Sequence, residues 1–335
     1  MIDQCRRAYD NGVPSLSPDA GVSATQLRLL ARVARLYHEH GLTQQAIAAQ
    51  LGLSQARVSR LLKEAVERGI VRSVVVLPPG VHTELEEALV AAYGLADAVV
   101  VDTDGSADVN RALGHAAASY LEVSLVGADV VGISSWSGAL VAAVEAMRPR
   151  AQRSARTVVQ MFGGVGDPAV QVQATRLAGR LAEILRADPL YMPAPAIVGT
   201  ASTRAAVLAD PAVAPVVAAW ERMSVCLVGI GALEPSPLLR SSGNVIEKAD
   251  TAALRQAGAV GDICLRYFDQ AGASVASPVD DRLTGMTADA IRAVPRRIAV
   301  AGGEGKVAAI RGALRGGWVS SLVTDAATAH ALVSA

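Results

Sequence analysis

The sequence predicts an α/β protein: an N-terminal all-α helix-turn-helix domain followed by a mostly parallel, doubly wound body. Three observations predict it. Residues Thr43 to Leu62, TQQAIAAQLGLSQARVSRLL, read as two short helices about a tight turn. From about Ala98 onward, short apolar runs alternate with amphipathic helical stretches, the pattern of a parallel sheet with crossover helices. Several of those runs end in small or glycine-rich turns, on the edge where open α/β sheets bind ligands.

The elements follow in order. Residues 1 to 24, rich in Pro, Ser, Asp and Gly, read as a flexible leader, and residues 25 to 79 as the helix-turn-helix domain. Leu27, Leu30, Ala31, Ala34 and Tyr37 form an apolar stripe in a first helix that Gly41 ends. Ile47, Ala48 and Leu51 give the next helix its apolar side, Gly52 supplies the turn, and Ser54 is placed to cap the helix that follows. There Val58, Leu61, Leu62 and Ala65 face inward. Gln55, Ala56, Ser59, Arg60 and Lys63 face outward, with Arg57 at the margin. Such a surface suits the major groove, where Arg forks to guanine, Gln pairs with adenine and small residues allow close approach. With Gln44 and Ser54, the residues Gln55, Arg57, Ser59, Arg60 and Lys63 are the expected DNA contacts. The other reading is a helical hairpin with a solvated polar face. After Arg68, GIVRSVVVL turns strand-like until Pro78-Pro79-Gly80 stops it, so the boundary is set near Pro79.

The body, residues 80 to 335, opens with a helix from His82 to Tyr93 whose Leu85, Leu89 and Tyr93 share one side. That side either pairs subunits or packs on its own body. AVVVD, DVVGIS, RTVVQMFGG, SVCLVGIG, RIAVAGG and SLVTD are the clearest strands, and helices between Asp108 and Leu125 and between Val170 and Arg186 the clearest crossovers.

Net charge is formally zero, but its distribution is uneven: residues 1 to 72 hold ten Lys+Arg against six Asp+Glu, and the rest holds 21 against 25. A modestly basic head of this kind attracts phosphate weakly, and several heads acting together compensate. Hydrophobic residues make up 51%, yet no apolar run reaches the roughly 20 residues of a membrane span. MIDQCRRAYD lacks a secretory h-region, and the expected location is the cytoplasm. Cys5, Cys226 and Cys264 have no metal-ligand spacing, so free or buried thiols and no metal are expected. GGVGDP, after Met161 and Phe162, lacks the third glycine of a dinucleotide fingerprint, and no cofactor is expected.

Among 31 basic side chains only Lys63, Lys248 and Lys306 are lysines. Lys306 lies in AGGEGKVAAI, where a strand ends, Gly302 and Gly303 admit a ligand, and a helix begins. Helix-terminal amides with an ammonium suit a phosphate or carboxylate. The alternative is an ordinary turn with an exposed lysine.

From about Leu27 to Ala335 the chain resembles SorC-type sugar-responsive transcriptional regulators. The head carries the resemblance in LYHEHGLTQQAIAAQLGLSQARVSRLLKEAVERGIV, and the body in DVVGISSWSG, VVQMFGG, YMPAP, VGIG, GAVGDICLRYFD, VAGGEGKVAAIRGALRGG and LVTDAATA. The resemblance implies a tetramer built as a dimer of dimers, operator DNA as partner, and a sugar or sugar phosphate as effector. Carried over by position, it puts the effector among Ser135, Trp136, Ser137 and Gly138, Gln160 and Gly163, Thr175 and Arg176, Asp262, Gly302, Gly303 and Lys306. Lys306 and Arg176 would neutralise a phosphate while Gln160 and Asp262 meet hydroxyls. Gln160 could instead satisfy a strand end, Asp262 a turn, and Trp136 the core. Where the family has Trp-Gly-x-Thr, this chain has Trp136-Ser137-Gly138-Ala139, so the Thr hydroxyl is missing. The competing class is an isomerase- or deaminase-like enzyme on sugar phosphates. It would need catalytic acid-base residues, and His82, His115 and His330 occupy no such motif.

Overall fold

In a computed structural model, residues 23–71, 80–103, 109–164, 168–234, 248–277 and 279–334 are described. The chain divides into two compact units, Met1–Val76 and Leu77–Ala335.

The first unit holds three helices, α1 (Ala24–His38), α2 (Gln44–Leu51) and α3 (Gln55–Glu67). Each starts where a hydroxyl can take an orphan amide: Ser23, Thr43 and Ser54 accept from the N–H of Gln26, Ala46 and Arg57. Gly52 ends α2 in the left-handed region at φ 63°, which glycine alone adopts without strain. The core is Leu30, Val33, Ala34, Ile47, Ala48, Val58, Leu61, Leu62 and Ala65. The expected stripe on α1 needs correcting. Leu27 and Tyr37 are exposed, and Val33, outside that stripe, is fully buried. The buried line runs through 30, 33 and 34 with Leu29 and Leu36 at its margins, so the packed face is rotated from the one drawn through 27 and 37. The strand-like GIVRSVVVL lies largely outside the described residues, as do residues 1–22 of the expected leader, whereas Ser23 and Ala24 already begin α1.

The second unit is built on a seven-stranded parallel sheet. Its strands are β1 (Asp97–Val101), β2 (Ala128–Ile133), β3 (Ala155–Gln160), β4 (Asp188–Leu190), β5 (Val225–Val228), β10 (Arg296–Val300) and β11 (Ser321–Asp325), in the order β1-β11-β10-β5-β2-β3-β4. Successive side chains on these strands face opposite sides, so each buried strand feeds two cores. Val131, Val158, Leu227 and Ile298 meet α5 (Val109–Ser124), α6 (Gly138–Ala146) and α7 (Pro168–Leu185) on one face. Val130, Val159, Val228 and Ala299 belong to the other core, with α4 (Thr83–Tyr93), α9 (Ala214–Glu221), α12 (Val307–Arg315) and α13 (Ala326–Val333). Leu89 of α4 is fully buried in that second core, and Tyr93 Oη donates to the Leu332 carbonyl at 2.8 Å. The apolar side of α4 is therefore spent on its own body rather than left for pairing subunits.

From β2 the chain runs through β3 to β4 at one edge, then returns to β5 on the other side of β2 and proceeds through β10 and β11. The reversal point lies between β2 and β5. That is where an open parallel sheet leaves a crevice beyond its strand ends. The sequence reading did not anticipate a second, four-stranded antiparallel sheet of β6 (Gly231–Ala232), β7 (Ala259–Ile263), β8 (Arg266–Asp269) and β9 (Ser274–Val275). Three further helices are α8 (Ala201–Ala209), α10 (Lys248–Gln256) and α11 (Ala288–Ala293).

Candidate functional site

Two surfaces concentrate the polar groups that the hydrophobic frame leaves over. On the first unit, α3 buries Val58, Leu61, Leu62 and Ala65 and leaves Gln55, Ala56, Arg57, Ser59, Arg60 and Lys63 exposed. Ser54 uses its hydroxyl on the Arg57 amide at 3.3 Å, Arg60 Nε donates to the Ala56 carbonyl at 3.3 Å, and Lys63 pairs with Glu67 at 3.7 Å. Of the proposed contacts, Ser54 thus has a local structural duty as a cap. Gln44 and Gln55 line a cavity of about 770 Å³ with Tyr37, Gly41, Leu42, Thr43 and Gln45. The polar groove beside the turn is a feature that stripe analysis of single helices does not see.

The second surface is the reversal point. Past β2, the Ser134 N–H extends the ladder to the Leu227 carbonyl at 2.9 Å, and Ser134 Oγ accepts from the Gly229 N–H at 3.2 Å. Ser137 then caps α6, its Oγ accepting from the Leu140 N–H at 3.3 Å. A Cβ on Gly229 would lie 2.5 Å from the Ser137 Cβ, so the two strand ends meet here at backbone distance. Between these tied serines, Ser135 Oγ and Trp136 Nε1 are buried and have no hydrogen-bond partner among the described residues. Buried polar groups in folded proteins are rarely left so, and these two adjacent ones leave hydrogen-bonding capacity open to a ligand or ordered water.

Asp262 and Lys306 reach the same end of the sheet. β6 follows directly from β5, and its Gly231 pairs with Asp262 on β7. Asp262 Oδ2 accepts from the Leu265 N–H at 2.9 Å. The connection it braces is a two-residue hairpin in which both Cys264 (φ 54°) and Leu265 (φ 62°) are left-handed, a conformation that asparagine and glycine usually supply. Both residues are buried, and the strain sits next to the acid. Burial pushes the Asp262 carboxyl up to about 6, opposed by the Leu265 amide and the Lys306 charge. Burial likewise lowers Lys306, while Asp262 raises it. Each charge thus offsets part of the shift that burial imposes on the other.

Other expected residues take different parts. Gln160 Oε1 accepts from the Met192 N–H at 2.8 Å, and its carbonyl from Trp220 Nε1 at 2.8 Å, so Gln160 satisfies a strand end. Gly163 is required by protein, since a Cβ there would lie 2.7 Å from the Pro195 carbonyl. A Cβ on Gly302 would overlap Asp325 Oδ2 and lie 3.1 Å from Leu113. Gly303, at φ 95°, donates its N–H to Asp325 Oδ2 at 2.8 Å and to Thr328 Oγ1 at 2.9 Å. The glycines of this turn thus serve an internal clamp that sets the position of Lys306. Its signal, Asp325 three residues before Thr328 at a helix start, was present in the sequence. Thr175 and Arg176 are exposed on α7, off its buried stripe of Leu177, Ala178 and Leu181. A cleft of about 510 Å³ lined by Arg204, Arg266, Tyr267, Asp280 and Arg292, among others, shares none of the expected site residues.

Residues 78–334 match the family described as "Putative sugar-binding domain", and residues 20–76 match the MarR family. The chain is 33% identical over 309 residues to the deoxyribonucleoside regulator of Bacillus subtilis, covering 92% of this chain and 97% of that one. It is 30% identical to the sorbitol operon regulator of Klebsiella pneumoniae, covering 93% and 99%. The crystal structure of full-length SorC from Klebsiella pneumoniae superposes with a TM-score of 0.71 at 27% identity, covering 92% of this chain and all of that one. A helix-turn-helix unit with an exposed polar face, joined to a parallel-sheet body of this topology, is the architecture these proteins share, and the chain belongs to the SorC family of transcriptional regulators with a sugar-binding domain.

Proposed function

We propose that the chain controls a carbohydrate-catabolism operon in the cytoplasm, and that a sugar or sugar phosphate seated at the carboxyl edge of the body's sheet sets its affinity for operator DNA. The observation that carries the site is the pair of buried donors Ser135 Oγ and Trp136 Nε1 at the sheet's reversal point, which have no partner among the described residues. Asp262 and Lys306 complete it. Operator contact falls to Gln44, Gln55, Arg57, Ser59, Arg60 and Lys63, with Ser54 fixing the helix that presents them. A regulator rather than an enzyme is supported by relatives named as regulators over more than nine-tenths of the chain. The family resemblance implies a homotetramer, a dimer of dimers, as the working form, and the weakly basic head supports some multivalent assembly, since linked heads turn later contacts into intramolecular ones.

The test is a titration of operator binding against effector for the parent and for Lys306→Ala. Coupling between two sites is reciprocal, so operator DNA must change effector affinity by the factor by which effector changes operator affinity. Lys306→Ala is expected to abolish the response while leaving effector-free DNA binding nearly intact. A variant that responds at the parent's effector concentration removes Lys306 from the site.

A further inference from the structure

We propose that Asp325 and Thr328 are positioning residues that carry the effector signal from the turn bearing Lys306 into α13, and that α13 passes it to α4. The inference rests on reading the Gly302–Lys306 turn as part of the effector site.

The turn and α13 are joined through one buried carboxylate. Asp325, 3% exposed, ends β11 and caps α13. Its Oδ1 accepts from the Thr328 N–H at 2.9 Å, and its Oδ2 accepts from Thr328 Oγ1 at 2.7 Å and from the Gly303 N–H at 2.8 Å. Thr328 Oγ1, in a residue 1% exposed, accepts from that same amide at 2.9 Å. The turn is also closed on itself, since the Lys306 N–H donates to the Gly303 carbonyl at 2.9 Å. A buried polar group that loses its partner costs about as much free energy as a whole allosteric coupling usually amounts to. A ligand that displaces Lys306 therefore moves the turn and the start of α13 together instead of parting them.

The far end of α13 is tied twice. Arg311 Nη2, on the helix α12 that continues from Lys306, donates to the Ala331 carbonyl at 2.6 Å, and Tyr93 Oη of α4 donates to the Leu332 carbonyl at 2.8 Å. Ala329 and Leu332 share one core with Leu89 of α4. α4 in turn holds the edge strand β1, because Glu86 Oε1 accepts from the Val100 N–H at 2.9 Å. At its amino end His82 Nε2 lies 2.8 Å from Asp102 Oδ1, just past β1. α4 begins at Thr83, shortly after the second unit opens at Leu77, so the covalent path from body to head leaves through that end.

The experiment measures a coupling factor, the ratio of dissociation constants for a DNA duplex with and without saturating ligand. The duplex is one enriched from random DNA by the parent protein. The ligand is whichever of D-ribose, 2-deoxy-D-ribose, D-glucitol and their terminal phosphate esters most raises the melting temperature of the full chain. Tyr93→Phe removes one oxygen at the far end of α13, and Thr328→Val removes the hydroxyl beside Gly303. In both, ligand affinity without DNA should stay within about twofold of the parent, while the coupling factor falls at least about threefold toward one. Because the two act on one path, the double variant should fall no further than the less coupled single. Ser224→Ala, which removes a hydroxyl bonded to the Val130 carbonyl near the amino ends of β2 and β5, should leave the factor unchanged. Should Thr328→Val not fold, Tyr93→Phe decides alone. A coupling factor unchanged in either folded variant, or lost equally in Ser224→Ala, overturns the inference, and the site stands if Lys306→Ala still abolishes the response. Ligand affinity unaltered by Lys306→Ala places the ligand elsewhere and overturns both readings, as does the absence of a melting shift across the whole set.

Discussion

Gly231 and Asp262 face each other across the β6–β7 pair so closely that a β-carbon at 231 would overlap Asp262 Oδ1. The carboxylate cannot simply turn aside, because its other oxygen holds the Leu265 amide of the strained hairpin. Gly231→Ala is therefore expected to cost about 1 to 3 kcal/mol of stability, the usual range for overpacking. It should also abolish the effector response while leaving effector-free operator binding intact. Urea unfolding of the variant, with operator titrations in the presence and absence of effector, checks both.

Asp262 makes stability depend on pH in a defined window. Its carboxyl titrates near 3.8 when unfolded and at about 6 when folded, because burial disfavours the charge. Between those values the folded chain keeps a proton that the unfolded chain releases, so stability falls as pH rises through the window and levels above it. Asp262→Asn cannot ionise. The stability of that variant relative to the parent should rise from pH 4 to about 6 and then stay constant. Urea midpoints for both proteins at intervals from pH 4 to 8 measure it, and a constant difference would disprove the assignment.

The recognition helix separates binding from folding. Arg57 and Arg60 are exposed, so Arg60→Ala should weaken operator binding by about 1 to 3 kcal/mol at fixed salt if it forks to a base, with no change in melting temperature. Ser54→Ala should act differently. Losing the cap costs about 1 kcal/mol of stability and weakens binding through fraying of α3. Gel-shift titrations paired with thermal melts distinguish the two.

Cys226 and Cys264 are both buried, and burial pushes the Cys226 thiol up to about 12 and that of Cys264 well above its ordinary value. Neither forms thiolate at neutral pH. In native protein a thiol reagent should leave both unlabelled, and in denaturant it should label them at once. Peptide mapping by mass spectrometry reads the result.

What was legible in the sequence was local. Gly52 at a left-handed position and Ser54 at a cap are decided by neighbours a few residues away, and both are found as read. Six of the seven parallel strands were legible for the same reason: each is a short apolar run, and SLVTD coincides with β11 residue for residue. β4, the three residues Asp188–Leu190, carries no such run and was not read. The antiparallel sheet was missed because its hairpin turns on Cys264 and Leu265, apolar residues in conformations normally announced by glycine or asparagine. The glycines near the site also have packing reasons that the sequence does not show. Gly163 and Gly302 are small because Pro195 and Asp325 press on them, and such neighbours, distant in sequence, leave no local trace.

Strand β1 stands at one edge of the sheet with β11 as its neighbour, Asp97 opposite Ser321. The opening segment of the body is thus closed by its final one. During synthesis the three-helix unit leaves the ribosome early, whereas β1 waits unpaired until nearly the whole chain has followed, the slowest kind of contact for a chain to make. A chain stopped before Ser321 keeps its recognition helix but has bare edges on β1 and β10, and it lacks the Asp325 that anchors Gly303 beside Lys306. The recognition helix is thus complete in the chain long before the fold that positions Lys306.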